Sequence, residues 1–221
     1  MNSNKFHDIK TVYFDYDGTL HNSKKIYVPS FKKAYEYLVS EKQAEPIKFY
    51  DDEIAKWLGY TDEEMWKIFM KDLDIKYKKR AEEILKSEME NQMISGNAEL
   101  FKNIPYVLQH LKAKGYTLVF LSNCMTDYMQ SAKRIFHLDK YFDDMHCAQL
   151  HGNKQKEEVL RIIKNNYPEK QVLVGDRFHD IKAANDNNIL SIFCLYGYGD
   201  ISEGKDATVS VKNPIEILNY I

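Results

Sequence analysis

Four residues, Thr11-Val12-Tyr13-Phe14, run without a break into Asp15-Tyr16-Asp17-Gly18. A short β-branched and aromatic run of this kind reads as a strand buried on both faces, the type that parallel sheets contain. Ending such a strand on two carboxylates is costly unless a cation or a proton offsets their repulsion. Asp and Gly are common turn residues, but a turn accounts for Gly18 and leaves the paired acids without a reason. Asp15 and Asp17 are therefore the first candidates for chemistry.

Three later segments repeat the pattern: Tyr116 to Leu121, Gln171 to Val174 and Ile189 to Phe193, each ending near polar residues or a glycine. Helical spacings separate them. Phe101, Ile104, Leu108 and Leu111 share one face closed by Gly115, and Val159, Ile162 and Ile163 share another. Strands alternating with helices predict a doubly wound α/β core, with ligands bound beyond the carboxyl ends of the strands.

From about His21 to Gly96 nothing reads as a strand. Phe31, Tyr35 and Leu38 form a helix face behind Pro29, Thr61 and Glu64 form a capping box ahead of Met65, Ile68 and Phe69, and a longer helix is expected from Ile75 to Met93. The charge-rich run from Lys76 to Glu90 mixes both signs at helical spacing, as a solvated helix face does. The expected division is a core of residues 1–20 and 97–221 and an inserted all-helical cap of residues 21–96. Its position directly after the acidic turn makes the insertion a candidate lid.

Composition narrows the partners. Lys plus Arg number 31 against 33 Asp plus Glu, with the two signs interspersed, so no basic stripe points to nucleic acid. Met1 to Lys10 is polar and no apolar run reaches bilayer length, which predicts a cytoplasmic protein without a membrane partner. Cys124, Cys147 and Cys194 are odd in number and widely spaced, as reduced structural thiols are. A monomer or weak homodimer is expected.

Asp15 to Leu20, DYDGTL, resembles the DxDGT[LV] motif of the haloacid dehalogenase superfamily, in which it follows a hydrophobic strand. Two further motifs of that superfamily stand in order at later strand ends. Leu121-Ser122-Asn123 is similar to the second, and Gly175-Asp176-Arg177-Phe178-His179-Asp180 to the fourth, GDxxxD. The third is a lysine ahead of a helix, for which Lys154 and Lys156 both stand in place; members of the superfamily similar to this chain place the lysine three residues before a Val or Ile of the helix, and with Val159 there the resemblance favours Lys156. The resemblance covers almost the whole chain and lies with its phosphatase branch, similar to phosphoglycolate phosphatase-like and β-phosphoglucomutase-like proteins.

What the resemblance implies agrees with elementary chemistry. A phosphate monoester carries two negative charges, so a carboxylate nucleophile needs positive charge to approach it. Mg²⁺, a small hard ion that takes oxygen ligands, supplies such charge. The resemblance implies Asp15 as nucleophile and Mg²⁺ ligand, Asp176 as a second ligand, the backbone carbonyl of Asp17 as a third, and Asp180 acting more remotely or by orienting the lysine. Lys156 would offset charge, Asp17 would serve as general acid and base, and Thr19, Ser122 and Asn123 would meet the phosphoryl group. Asp17 also argues against carbon–halogen cleavage, since dehalogenating members lack an acid at that place.

The expected reaction is hydrolysis of a small-molecule phosphate monoester, such as a phosphoglycolate-like acid, a sugar phosphate or a nucleoside monophosphate, through an aspartyl phosphate. A phosphomutase resembling β-phosphoglucomutase is the alternative within the fold. A non-catalytic binding or regulatory protein is the alternative outside it. Among secondary candidates, His21, Asn22 and Lys24 could touch substrate or cap a hinge. Trp57, Gly59 and Tyr60 could form a specificity loop, and His179 lacks the second histidine that a zinc site needs.

Overall fold

The computed structural model describes residues 3–221. Residues 1 and 2, counted in the expected core, lie outside the described residues. The chain divides into two compact units, one running to Asn22 and resuming at Leu100, the other spanning Ser23–Glu99. The division falls slightly outside the expected boundaries because His21 bridges to both Asp17 and Leu100, so the α/β unit keeps the first residues after the acidic turn.

The α/β unit is built on six parallel strands: β1 (Thr11–Phe14), β2 (Thr117–Ser122), β3 (Asp144–Cys147), β4 (Gln171–Gly175), β5 (Leu190–Cys194) and β6 (Val209–Val211). They lie in the order β3-β2-β1-β4-β5-β6. The chain moves outward from β1 to β2 and β3, then returns to place β4 against the other side of β1. The order therefore reverses between β1 and β4, and sheets of this type bind ligands beyond the strand ends at such a reversal. Val12, Phe14, Leu118, Phe120, Val172 and Val174 are fully buried. On the opposite face, Tyr13, Val119, Leu121 and Leu173 pack with Val159, Leu160 and Ile163 of α7 (Lys156–Ile163) and with Ala183 and Ala184 of α8 (Phe178–Asp186). Burial on both faces is why these strands read as unbroken apolar runs rather than as alternations.

Strands β3 and β6 were not expected. β3 reads Asp-Met-His-Cys and β6 is three residues long; both sit at the sheet edges, where short polar strands are stable. The helix expected from Phe101 begins at Ile104, giving α5 (Ile104–Ala113), and α6 (Thr126–Phe136) follows β2.

The second unit holds α1 (Lys24–Ser40), α2 (Asp51–Ala55), α3 (Asp62–Phe69) and α4 (Ile75–Ile94) and no strand among the described residues. Helix α1 does not start at Pro29 but continues through it. The lost backbone bond is accepted because the earlier turns bury Ile26, Tyr27 and Val28. Helix α3 opens on the expected capping box, with the Glu64 N–H donating to Thr61 Oγ1 at 3.3 Å and the Thr61 N–H to Glu64 Oε2 at 2.9 Å. Asp74 caps α4 by accepting the Lys76 N–H at 2.9 Å.

Candidate active site

The sheet delivers the site. The Asp15 N–H donates to Val174 O at 2.9 Å, which extends the β1–β4 ladder by one residue and sets the Asp15 side chain at the mouth of the order reversal. Asp176 follows β4 directly, and Asp180 lies in the first turn of α8. One carboxylate oxygen from each of Asp15, Asp176 and Asp180 falls within 4.8 Å of the others, and all three residues are buried.

Lys156 opens α7 and enters this cluster, whereas Lys154 is exposed. Its Nζ donates to Asp15 Oδ1 and to Asp180 Oδ1, each at 2.6 Å, with its side chain only 3% exposed. Burial works against the ammonium, but Asp15 and Asp180 more than offset it and hold the lysine above its ordinary value. Asp180 also accepts the Arg177 N–H at 3.0 Å, so one carboxylate fixes both the lysine and the first turn of α8.

Asp176 is held from two directions. Thr19 Oγ1 donates to its Oδ1 at 3.2 Å and the Tyr198 N–H to its Oδ2 at 2.7 Å. The Thr19 hydroxyl thus spends its hydrogen on a carboxylate rather than on a ligand oxygen. Gly18 lies at φ +84°, and a Cβ there would stand 2.2 Å from Asp176 Oδ2, so the motif glycine is required both by its backbone and by the approach of the acid. Ser122 ends β2 two residues past the Phe14–Phe120 pairing; it is buried and its Oγ accepts the Cys124 N–H at 3.3 Å. Asn123 occupies the following loop, half-buried.

Three buried carboxylates face one buried ammonium, which leaves the cluster short of positive charge. Burial pushes the Asp15 carboxyl well above the usual range against the pull of Lys156, and the neighbouring Asp180 and Asp176 add to the rise. Burial and Asp180 push Asp176 up to about 7. An all-oxygen donor set that repels itself in this way fits a hard divalent cation such as Mg²⁺. Asp17 stands apart from the trio, and its Oδ1 accepts the Tyr128 hydroxyl at 2.9 Å.

Residues 12–194 match the family model of haloacid dehalogenase-like hydrolases. The chain belongs to that family. As a haloacid dehalogenase-like hydrolase it is similar, at 27% identity over 91% of this chain and 92% of the relative, to a phosphoglycolate phosphatase of Aquifex aeolicus. It is 26% identical to a 5'-nucleotidase of Pseudomonas aeruginosa over 87% of this chain and 85% of that one. Among solved structures, that of a predicted phosphatase from Clostridium acetobutylicum aligns with a TM-score of 0.79 at 25% identity, over 96% of this chain and 99% of the other.

The secondary candidates separate in this hydrolase. His21 is fully buried and stacks on Tyr16 with centroids 4.9 Å apart, which removes it from substrate contact. Asn22 accepts the Tyr198 hydroxyl at 3.0 Å, and Lys24 pairs with Asp52 at 2.5 Å in the helical unit. Trp57 is buried. His179 is buried and is not among the clustered acids. Cys124 and Cys147 share a hydrogen bond that pushes the Cys124 thiol well above its usual range and lowers the Cys147 thiol to about 6.

Two contributors escaped the sequence reading. The loop Tyr196 to Gly199 packs on Asp176 so tightly that a Cβ on Gly197 would lie 2.3 Å from the Asp176 Cβ, and Tyr196 donates its hydroxyl to Thr19 O at 3.0 Å. The alternation Tyr196-Gly197-Tyr198-Gly199 does not name its partner in the sequence. Tyr128, on α6, carried no signal of its own.

Proposed function

We propose that this hydrolase is a Mg²⁺-dependent phosphatase that cleaves a small phosphate monoester through an aspartyl phosphate on Asp15. The observation that carries the reading is Lys156 bridging Asp15 and Asp180, buried beside Asp176 at the order reversal of the sheet. The names of its relatives, phosphoglycolate phosphatase and 5'-nucleotidase, agree with phosphate ester chemistry.

In this reading Asp15, Asp176 and the backbone carbonyl of Asp17 would hold the cation, which would supply the positive charge that lets two anions meet. Asp15 attacks phosphorus with one carboxylate oxygen. Lys156 offsets charge on Asp15 and on the phosphoryl oxygens, and Ser122 and Asn123 meet the phosphoryl group from β2. Asp17 gives its proton to the departing alkoxide and then takes one from the water that attacks the acyl phosphate. Asp180 keeps Lys156 aimed, and Thr19 and Tyr198 keep Asp176 aimed.

A panel of phosphomonoesters, including 2-phosphoglycolate, sugar phosphates and nucleoside monophosphates, tests the reading by phosphate release, compared as kcat/KM with and without Mg²⁺. Metal-dependent release from at least one ester is expected, with loss on chelation and recovery on adding Mg²⁺ back. No release from any member, or release indifferent to a chelator, would sink the proposal.

A further inference from the structure

Outside the four motifs, Tyr128 and His21 both approach the residue assigned as acid and base. Tyr128 Oη lies 2.9 Å from Asp17 Oδ1 and 3.1 Å from His21 Nδ1, and His21 Nδ1 lies 3.6 Å from the same carboxylate oxygen. The ring positions are set by packing. His21 stacks on Tyr16 at an interplanar angle of 16°, and Tyr16 meets Tyr128 edge-on with centroids 5.5 Å apart. All three rings come from two segments, the acidic turn and α6, so the arrangement is decided within the α/β unit.

Hydrogen counting gives this group a direction. A phenol has one hydrogen, and an ionised carboxylate can only accept. With the Tyr128 hydrogen on Asp17, the His21 nitrogen facing the phenol must be a donor, which assigns the Nδ1–H tautomer. Donors therefore run from His21 to Tyr128 to Asp17.

We propose that Tyr128, held by His21, is a positioning residue for Asp17, fixing the plane of its carboxylate through both proton transfers. The inference rests on the assignment of Asp17 as general acid and base. A carboxylate that must give a proton to one oxygen and later take one from water in the same place has to keep its orientation between the steps. The Asp17 side chain is 14% exposed, against 5% for Asp15, so burial alone holds it less firmly than the nucleophile. The hydroxyl of Tyr128 supplies the restraint.

The test compares the unsubstituted protein with Tyr128→Phe, Asp17→Asn and the double variant, using an alkyl phosphate, whose leaving group needs a proton, and 4-nitrophenyl phosphate, whose leaving group does not. Tyr128→Phe is expected to lower kcat/KM for the alkyl ester about 10-fold and to leave the nitrophenyl ester within about 2-fold. In the Asp17→Asn background the same substitution is expected to do nothing further. Equal losses on both esters, or full additivity in the double variant, overturn the positioning role. If Asp17→Asn itself costs both esters equally, the acid–base assignment is what has failed. Selective loss in Asp17→Asn but none in Tyr128→Phe overturns the positioning inference alone. His21→Asn, which can present an amide N–H near the place of Nδ1, should keep most of the alkyl activity, and His21→Leu should reproduce the Tyr128→Phe pattern; the opposite ranking also overturns it. These two variants read the same network should Tyr128→Phe fold poorly.

Discussion

The two units handle charge in opposite ways. The α/β unit buries Asp15, Asp176, Asp180, Lys156 and Arg177, each 4% exposed or less, and gives them short, specific partners. In the helical unit no Asp, Glu, Lys or Arg among the described residues is buried. Several of its ion pairs, Lys32–Asp51, Lys67–Glu63 and Arg80–Glu83 among them, have both partners more than 40% exposed. What holds that unit is aromatic: Phe31 and Tyr35 meet Phe49 edge-on, and Phe69 packs against Phe31 with centroids 5.3 Å apart. Buried charge is costly and persists where it has a task, whereas exposed pairs contribute little. The difference locates the chemistry in one unit and leaves the other as a hydrophobic assembly with a solvated surface.

Substitutions can break this contrast, beginning with the nucleophile. Asp15→Asn is expected to lower turnover by at least about 1,000-fold while the protein still folds, measured by steady-state phosphate release and circular dichroism. Wild-type rates in that variant would move the nucleophile elsewhere. Lys156→Met should cost about 100- to 1,000-fold in kcat/KM. Unlike Asp15→Asn it should also destabilise the fold by about 3 kcal/mol in urea unfolding, because Asp15 and Asp180 lose their shared cation. A stability equal to wild type would mean that the bridge is not what offsets those acids.

In the helical unit the large effect should come from packing. Phe31→Ala is expected to cost about 3 kcal/mol by opening a cavity in the aromatic cluster, followed by the fluorescence of Trp57 and Trp66, the chain's two tryptophans. Stability should also depend on pH through the α/β unit. The Asp15 and Asp176 carboxyls are raised in the folded state by burial, so the fold retains protons that the unfolded chain has released. Their contribution is fully present below the unfolded value of about 3.9 and is lost as pH rises through the folded value. For Asp176 that value is about 7. Metal-free protein should therefore lose roughly 1–3 kcal/mol between pH 5 and pH 8. Mg²⁺ should remove most of the loss, and a flat metal-free profile would contradict the burial argument. The smallest effect is expected at an exposed pair: Lys67→Ala, which breaks the contact with Glu63, should leave the urea midpoint unchanged.

These contrasts follow how much could be read in advance. The four central strands were legible because burial on both faces demands apolar runs, and the acids after them stood out because an apolar strand has no use for paired charge. The edge strands β3 and β6 were not, since a sheet edge tolerates Asp144 and His146 and three residues suffice for β6. Pro29 marked a helix start in the sequence and lies inside α1 in the fold, because burial of Ile26, Tyr27 and Val28 outweighs one missing backbone bond.

The sequence by itself determined the order of the chemistry, with acids after β1 and β4, a hydroxyl at the end of β2 and a lysine at the start of α7, because strand ends in a parallel sheet all face one rim. It narrowed the lysine to Lys154 or Lys156 but could not choose by contact. Only the tertiary structure decided that Lys156 bridges Asp15 and Asp180, that Thr19 holds Asp176, and that Tyr128 reaches Asp17 across more than 100 residues of chain. Those contacts depend on how helices and loops pack on the sheet, and side-chain packing across such separations has no period for a sequence to display.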